Sequence, residues 1–150
     1  MYQAMFNLVF YLAAPFWLLM IVAPTWGWTR RIVGSPLIAL PAAAIYVILA
    51  VPLLGELLPA VANPTPDGVA ELLSTDVGGA LGWAHFIAFD LFVGRWEYLD
   101  ARERGVHPLV MAPVLVLTIL LGPLGFVVYL GVRALPLWRK PDDASPTPVA

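Results

Sequence analysis

The sequence predicts an all-α integral membrane protein, a four-helix bundle with a short capped helix in its second loop. Of the 150 residues 61% are hydrophobic and 12% are charged, and the mean hydropathy is +0.84. A soluble chain is about half apolar and about a quarter charged, so the excess must face lipid. Four apolar runs, roughly 4–23, 36–58, 78–98 and 109–132, each approach the ~20 residues that a helix needs to cross hydrocarbon.

The first run is interpreted as a retained membrane helix and not as a signal peptide. It lacks a basic amino-terminal region, and Arg30 and Arg31 follow it as a stop-transfer signal. Asn7 and Tyr11 lie four residues apart, so they share one helix face and offer an amide and a phenol at membrane depth. These two side chains are candidate partners for polar groups on other helices.

The second run has the features of a structural span, and the loop after it is expected to be ordered. This loop has prolines first and then a short helix near Asp67, whose side chain can accept from free amides of the first turn. Ser74, Thr75 or Asp76 can cap the third run in the same way. We therefore expect the loop to form a structured lid on the outer surface.

Polar side chains interrupt the third run, and His85 and Asp90 fall at mid-depth. The steps from His85 to Asp90 and from Asp90 to Arg95 are five residues, or about 140° of helix rotation, so their partners must lie on other helices. A charge at mid-depth costs about 2.5 to 3.5 kcal/mol and usually marks interhelical hydrogen bonds or a working site. The third run is therefore expected at the centre of the bundle.

The charged residues at the end of the third run have a simpler interpretation. Arg95, Glu97 and the charged residues that follow them are expected at or beyond the membrane interface, where long side chains snorkel and form solvated pairs. Asp100 and Arg104 are four residues apart and are expected to form a solvated pair.

The fourth run contains the stretch TILLGPLG, in which Thr118, Gly122 and Gly125 form a small-residue seam. Small residues let helices approach closely. Pro123 removes a backbone hydrogen bond and is expected to leave a free carbonyl acceptor one turn earlier. A kinked span is therefore predicted.

The distribution of basic residues gives two possible orientations. The first and third loops carry most of them, so the positive-inside rule places these loops in the cytoplasm and both termini outside. Arg133, Arg139 and Lys140 then lie on the wrong side. A re-entrant hairpin broken at Gly122 and Pro123 would bring all eight basic residues to one side, but four full spans are the preferred interpretation.

Several classes of function are disfavoured. The absence of cysteine excludes disulfides and thiolate sites, and no metal site is predicted. A net charge of −2 and the lack of a phosphate-binding glycine loop argue against nucleic-acid and nucleotide partners. Residues 1–135 are assigned to the membrane domain. Residues 136–150 form a polar, proline-containing tail that is expected, with the lipid-facing helices, to bind other membrane subunits.

The third run also carries a family resemblance. The stretch HFIAFDLFVGRW, with Trp83 before it and GPLG after it, resembles the neoxanthin-synthase-like family of plant and bacterial membrane proteins, also called the abscisic-acid-deficient-four type. PFWLLMIVAP followed by TRR agrees too, and the resemblance runs from about Leu8 to Arg133. It implies a multi-pass protein of a bacterial inner membrane or a photosynthetic membrane. In plants the family is associated with conversion of violaxanthin to neoxanthin, in which an epoxide opens and a neighbouring carbon loses a proton.

The resemblance implies a carotenoid or xanthophyll as ligand and acid–base chemistry without a required cofactor. Asp90 and His85 would supply the acid and the base, and Arg95 would orient a carboxylate. Candidate substrate-binding residues are Phe86, Phe89, Phe92 and Trp96, with Asn7 and Tyr11. Against catalysis, His85 and Asp90 diverge on their helix.

A second interpretation stays open, and whether the chain is an enzyme is left undecided. The chain would be a non-catalytic subunit of a larger photosynthetic pigment–protein complex. The polar helix would then be a packing core, and His85 would ligate the magnesium of a chlorophyll-type pigment. A transporter or proton path has no support beyond the intramembrane ionisable groups.

Overall fold

The computed structural model describes residues 1–138, and every regular element in this part of the chain is helical. The all-α prediction is confirmed. The α-helices are α1 (Tyr2–Val22), α2 (Gly27–Val33), α3 (Leu40–Ala50), α4 (Leu54–Ala62), α5 (Pro66–Ser74), α6 (Asp76–Arg104), α7 (Pro108–Leu120) and α8 (Gly122–Ala134). The predicted interactions of the tail fall mostly on residues 139–150, outside the described residues.

Three segments are long and apolar enough to cross a membrane: Tyr2–Val22, Pro36–Ala62 and Asp76–Arg104. They correspond to the first three predicted spans and fit a membrane protein. The middle segment is not one regular α-helix, because 3-10 turns at Pro36–Ala39 and Val51–Leu53 flank α3. Proline lacks the N–H that an α-helix needs, and Pro52 stands at the start of the second of these turns.

The fourth predicted span is not a single helix within the described residues. The chain leaves helical geometry at Leu121, whose φ is −145° and ψ 66°, and Pro123 stands in the first turn of α8. Proline is favoured there because its missing N–H would have no helical partner anyway. Pro123 therefore begins a new helix and does not kink one. With 13 residues each, α7 and α8 are about 20 Å long, too short to cross ~30 Å of hydrocarbon.

The two short helices form a hairpin that packs along α6. Their contacts with α6 occur in this order along the chain: Thr118 with Glu97, Gly122 with Asp90, Phe126 with Trp96, and Arg133 with Asp100. Successive residues of α7 therefore contact α6 at points farther and farther from Arg104, and successive residues of α8 contact it at points closer and closer to Arg104. The tip of the hairpin lies beside Asp90, and both of its ends lie toward Arg104.

The hairpin places Arg133 at the same end of α6 as Arg102 and Arg104, whereas Arg139 and Lys140 lie outside the described residues. The Tyr98 hydroxyl donates to the carbonyl of Pro24 at 2.7 Å, so α1 ends near the same end of α6 that carries Arg102 and Arg104. Tyr2 instead lies near Asp76, at the opposite end. The first and last described residues therefore lie at opposite ends of α6, whereas four full spans would place them at the same end.

Local sequence accounts for both ends of α6. Thr75 accepts from the Gly78 amide at 3.0 Å, as one of the three predicted caps. Gly105 ends the helix in the left-handed region with φ 73°, where glycine pays no steric penalty, and turns the chain into α7. In the second loop the predicted short helix is present as α5, but its cap is Thr65, which accepts from Gly68 at 3.1 Å, and not Asp67.

The polar helix α6 is central to the fold, as predicted. It packs against α1, α3, α5, α7 and α8. At Gly94 the ring of Trp17 from α1 packs so closely that a Cβ would overlap it. Ala84 and Leu91 are fully buried on α6, so the core of the protein is built around this helix.

Candidate functional site

A lipid-facing cavity lies beyond the tip of the hairpin. Because α7 and α8 stop beside Asp90, they leave the other half of this face of α6 uncovered. The resulting cavity has a volume of about 510 Å³. It is lined by Phe10 of α1, by residues 119–123 of the hairpin tip, and by Trp83, His85, Phe86, Ile87, Phe89 and Asp90 of α6.

Asp90 is the acidic group of this cavity. It lies at the middle of α6, fourteen residues from Asp76 and fourteen from Arg104, which corresponds to about 21 Å in each direction. Its side chain is half-buried and makes no hydrogen bond to any residue among 1–138. A Cβ at Gly122 would overlap the Asp90 carboxyl group, so this glycine makes room for it at the start of α8. The helix N-terminus there carries a partial positive charge that favours the carboxylate.

The His85 side chain lies on the outer surface of α6 and not in the interior of the helix cluster. Its ring stacks on Phe89 at 4.8 Å between centroids and meets Tyr46 of α3 edge-on at 5.6 Å. Within the described part of the chain it makes ring contacts only. His85 and Asp90 do diverge on the helix, but both line the cavity, which extends around this face of α6.

Arg95 is separated from the other two predicted catalytic residues. Its Nε donates to the Val33 carbonyl at 2.8 Å and its Nη2 donates to the carbonyl of Gly34. Arg95 thus satisfies free carbonyls at the end of α2, where a positive charge is favourable. It does not line the cavity, so its position gives no support to a role in orienting a carboxylate of the site.

The predicted substrate-binding aromatic residues of α6 lie in three different surroundings. Phe86 and Phe89, which are 56% and 60% exposed, line the cavity directly. Phe92 lines a neighbouring depression between α3 and α6. Trp96 packs against the hairpin, where Phe126 lies 5.8 Å and Tyr129 5.4 Å from it between ring centroids, and it remains 37% exposed.

Asn7 and Tyr11 lie outside the cavity. They line a separate depression on α1 together with Trp83. The Asn7 side chain accepts from Gln3 at 3.2 Å, and Tyr11 is 70% exposed. The structure therefore does not bring these two residues to Asp90 and His85.

The predicted small-residue seam lies between the two arms of the hairpin. A Cβ at Gly125 would overlap the backbone and hydroxyl of Thr118. Gly122 and Pro123 form the tip and line the cavity. The close approach of Gly125 and Thr118 is thus made within one hairpin and not between separate spans.

Glu97 is the main polar residue that the sequence analysis misplaced. It is fully buried, with 0% exposure, and does not snorkel to the interface. The Thr118 hydroxyl lies 2.8 Å from its Oε2, and its Oε1 has no partner among the described residues. Asp90 and Glu97 are seven residues apart and so share a helix face; this spacing was the available signal.

Asp100 forms a polar cluster at the open end of the hairpin. Its Oδ2 accepts from Arg104 at 2.8 Å, from Arg133 at 2.8 Å and from the Tyr129 hydroxyl at 2.5 Å. The predicted pair of Asp100 with Arg104 is confirmed. Tyr129 and Arg133 were not predicted, because they reach Asp100 only through the reversal at Leu121.

No group of three or more histidine, aspartate or glutamate side chains converges on a metal position within residues 1–138. The groups available for chemistry in the cavity are the Asp90 carboxyl and the His85 imidazole. The indole N–H of Trp83, another lining residue, is buried without a partner in the described chain.

Comparison with known proteins identifies the family. The ABA DEFICIENT 4-like family matches residues 4–129, which include the described helices as far as the middle of α8. Neither the curated proteins nor the solved structures contain a match to this chain. The match nevertheless covers most of the sequence and contains all residues of the cavity, and on this basis the chain belongs to the ABA DEFICIENT 4-like family.

Proposed function

We propose that the protein binds an oxygenated carotenoid in the lipid-facing cavity and isomerises it by acid–base chemistry. The observation that carries the proposal is the presence of Asp90 and His85 in one aromatic-lined cavity at membrane depth. Family membership supports it, together with the resemblance to neoxanthin-synthase-like proteins described above.

The size of the cavity favours one end ring of such a ligand. Its volume of about 510 Å³ lies within the range of about 300 to 1,000 Å³ that is typical of small-molecule sites. Phe86 and Phe89 are exposed at its edge, so a polyene can leave the cavity along apolar surface into the bilayer. The ligand therefore enters sideways from lipid, with its oxygenated ring beside Asp90.

The proposed reaction uses two proton transfers that balance. One group of the Asp90 and His85 pair donates a proton to the epoxide oxygen as the C–O bond breaks, and the other removes a proton from the neighbouring carbon as the new C=C bond forms. The product is an allenic alcohol, and no electrons are gained or lost. One proton then passes between the two residues to restore the starting state.

The proposal is tested with the purified protein in liposomes that contain violaxanthin. We expect a bound carotenoid in the visible spectrum and neoxanthin in the extracted pigments. Asp90→Asn removes the acid–base group while keeping size, and should abolish conversion but retain bound pigment. Glu71→Gln makes the same chemical change at an exposed residue of α5 and should leave conversion intact.

A colourless preparation that takes up no added carotenoid would refute the proposal. Binding without conversion in the wild-type protein would refute the catalytic part and leave a carotenoid-binding protein. Equal conversion by Asp90→Asn and the wild type would show that Asp90 is not the reacting group.

One observation favours a second candidate function, a non-catalytic subunit of a pigment–protein complex. The imidazole of His85 is exposed on the outer surface, and among residues 1–138 it contacts aromatic rings only. This setting suits axial ligation of a chlorophyll-type pigment, to which His85 would supply a ring nitrogen. Purification in mild detergent distinguishes the two: chlorin absorption and further subunits that are lost in His85→Phe would favour the complex.

A further inference from the structure

We propose that Glu97 is a protonated, neutral carboxylic acid whose O–H group holds Thr118 and thereby fixes the tip of the hairpin against Asp90. Glu97 is then a positioning residue for the cavity. The protonation state stands on its own, and only the effect on carotenoid binding rests on the proposed function.

The hydrogen bonds available to the Thr118 hydroxyl favour a protonated Glu97. Its Oγ1 lies 2.8 Å from Glu97 Oε2 and 3.1 Å from the carbonyl oxygen of Val114. A hydroxyl group carries one proton, so Thr118 cannot donate to both oxygens. With Glu97 ionised, Thr118 must donate to Glu97, and the Val114 carbonyl keeps only the backbone N–H of Thr118 within α7. With Glu97 protonated, Glu97 donates to Thr118, Thr118 donates to Val114, and both contacts are satisfied.

No cation within the described residues forms an ion pair with Glu97. Arg95 binds Val33 and Gly34, and Arg104 and Arg133 pair with Asp100. Arg102 is five residues from Glu97, about 140° around α6, and lies on the side of Tyr98. Helices α1 and α7 carry no charged side chain. The other ionisable groups facing this region are Asp90, two turns away on α6, and the Asp100 and Tyr129 pair, so none adds positive charge.

Burial makes the neutral form the favourable one. An unpaired carboxylate taken out of water is penalised far more than a neutral acid. The Oε1 atom of Glu97 is buried without a donor. Burying Oε1 without a donor costs less free energy when it is the carbonyl oxygen of a neutral acid than when it shares the negative charge of a carboxylate.

The link to the cavity follows from the helix registers. Thr118 lies one turn before Gly122, where the Asp90 carboxyl packs. Glu97 lies seven residues after Asp90 on the same face of α6, about 10 Å further along. The bond between Glu97 and Thr118 thus holds the hairpin arm directly behind its tip, and it sets how far the tip reaches along α6.

Infrared absorption of the purified protein at neutral pH tests the protonation state. We expect the C=O band of a protonated carboxylic acid in the wild type and in Glu71→Gln, and its loss in Glu97→Gln. Asp90→Asn identifies any contribution of Asp90 to the same region. If Glu97→Gln leaves the acid band unchanged and instead reduces the carboxylate bands, Glu97 is ionised and the proposal is wrong.

Carotenoid affinity tests the positioning role. Thr118→Val removes the hydroxyl at nearly constant volume and should weaken binding about tenfold, the effect of losing about one hydrogen bond. Thr118→Ser and Glu97→Gln keep a hydroxyl or a neutral donor and should bind like the wild type. Equal affinity of Thr118→Val and Thr118→Ser would refute the role. A wild type that binds no carotenoid would refute the proposed function without changing the infrared result.

Discussion

Three glycines of α8 allow a sharp test of the hairpin, because the same substitution meets different surroundings at each. A Cβ at Gly125 would overlap the backbone N and Cα of Thr118 on the opposite arm. At Gly131 nothing lies within 4 Å. At Gly122 the Cβ would overlap only the Asp90 carboxyl group, which is the end of a flexible side chain.

These surroundings set the expected change in the free energy of unfolding. Overpacking costs about 1 to 3 kcal/mol, and Gly125→Ala belongs at the upper end because backbone atoms cannot rotate away. Alanine gains about 1 kcal/mol over glycine within a helix. The net loss for Gly125→Ala is about 2 kcal/mol, or roughly 30-fold in the unfolding equilibrium. Gly131→Ala receives only the gain and should be up to about 1 kcal/mol more stable.

The assay is unfolding by a denaturing detergent, followed by circular dichroism, for both variants in parallel. Gly122→Ala adds a second readout, since it should change stability by less than about 1 kcal/mol but displace the Asp90 carboxyl and lower carotenoid conversion. If Gly125→Ala were as stable as Gly131→Ala, the two arms would not meet at Thr118. A continuous fourth span would then replace the hairpin.

Two further predictions concern the topology and the base of the hairpin. The chain has no cysteine, so Tyr2→Cys and Leu135→Cys can be labelled singly with an impermeant thiol reagent; we expect labelling from opposite sides of the membrane, and labelling from one side would indicate four spans. Asp100→Asn should lower the free energy of unfolding by about 1 to 2 kcal/mol, because two arginines and Tyr129 lose a partly buried carboxylate. Glu71→Gln, the same change on the surface of α5, should cost almost nothing, and an equal loss in both would contradict the cluster.

The first three spans were predictable because lipid exposure leaves a direct trace in composition. Each needs about 20 apolar residues whatever it packs against, and the structure has apolar helical segments at these positions. The prediction of a single fourth span was wrong because one non-helical residue does not change the mean hydropathy of a run. Leu121 is as apolar as its neighbours, so the reversal is marked only by Gly122 and Pro123. These two residues are compatible with a kinked fourth span and with a hairpin, and only the contacts of α7 and α8 with α6 distinguish the two.

The site was predictable only in part for a related reason. Helix periodicity placed Asp90 and His85 at mid-depth, but it could not show which face the hairpin leaves uncovered. Trp96 and Phe89 are seven residues apart and on the same side of the helix, yet the hairpin packs against Trp96 and leaves Phe89 at the cavity. Glu97 was assigned to the interface on sequence position, and the same hairpin buries it.

Three of the five acidic residues of α6, Asp90, Glu97 and Asp100, show how the hairpin places similar side chains in different surroundings. Asp100 lies at the open end of the hairpin, where Arg104 and Arg133 pair with it as a carboxylate. Glu97 lies under the arm, where a hydroxyl is its partner and a proton must replace the missing cation. Asp90 lies at the tip, beyond reach of either, with a cavity in front of it. A hairpin one turn longer would cover Asp90 as it covers Glu97, so the length of α7 and α8 is what leaves Asp90 open to the cavity in which the proposed ligand would bind.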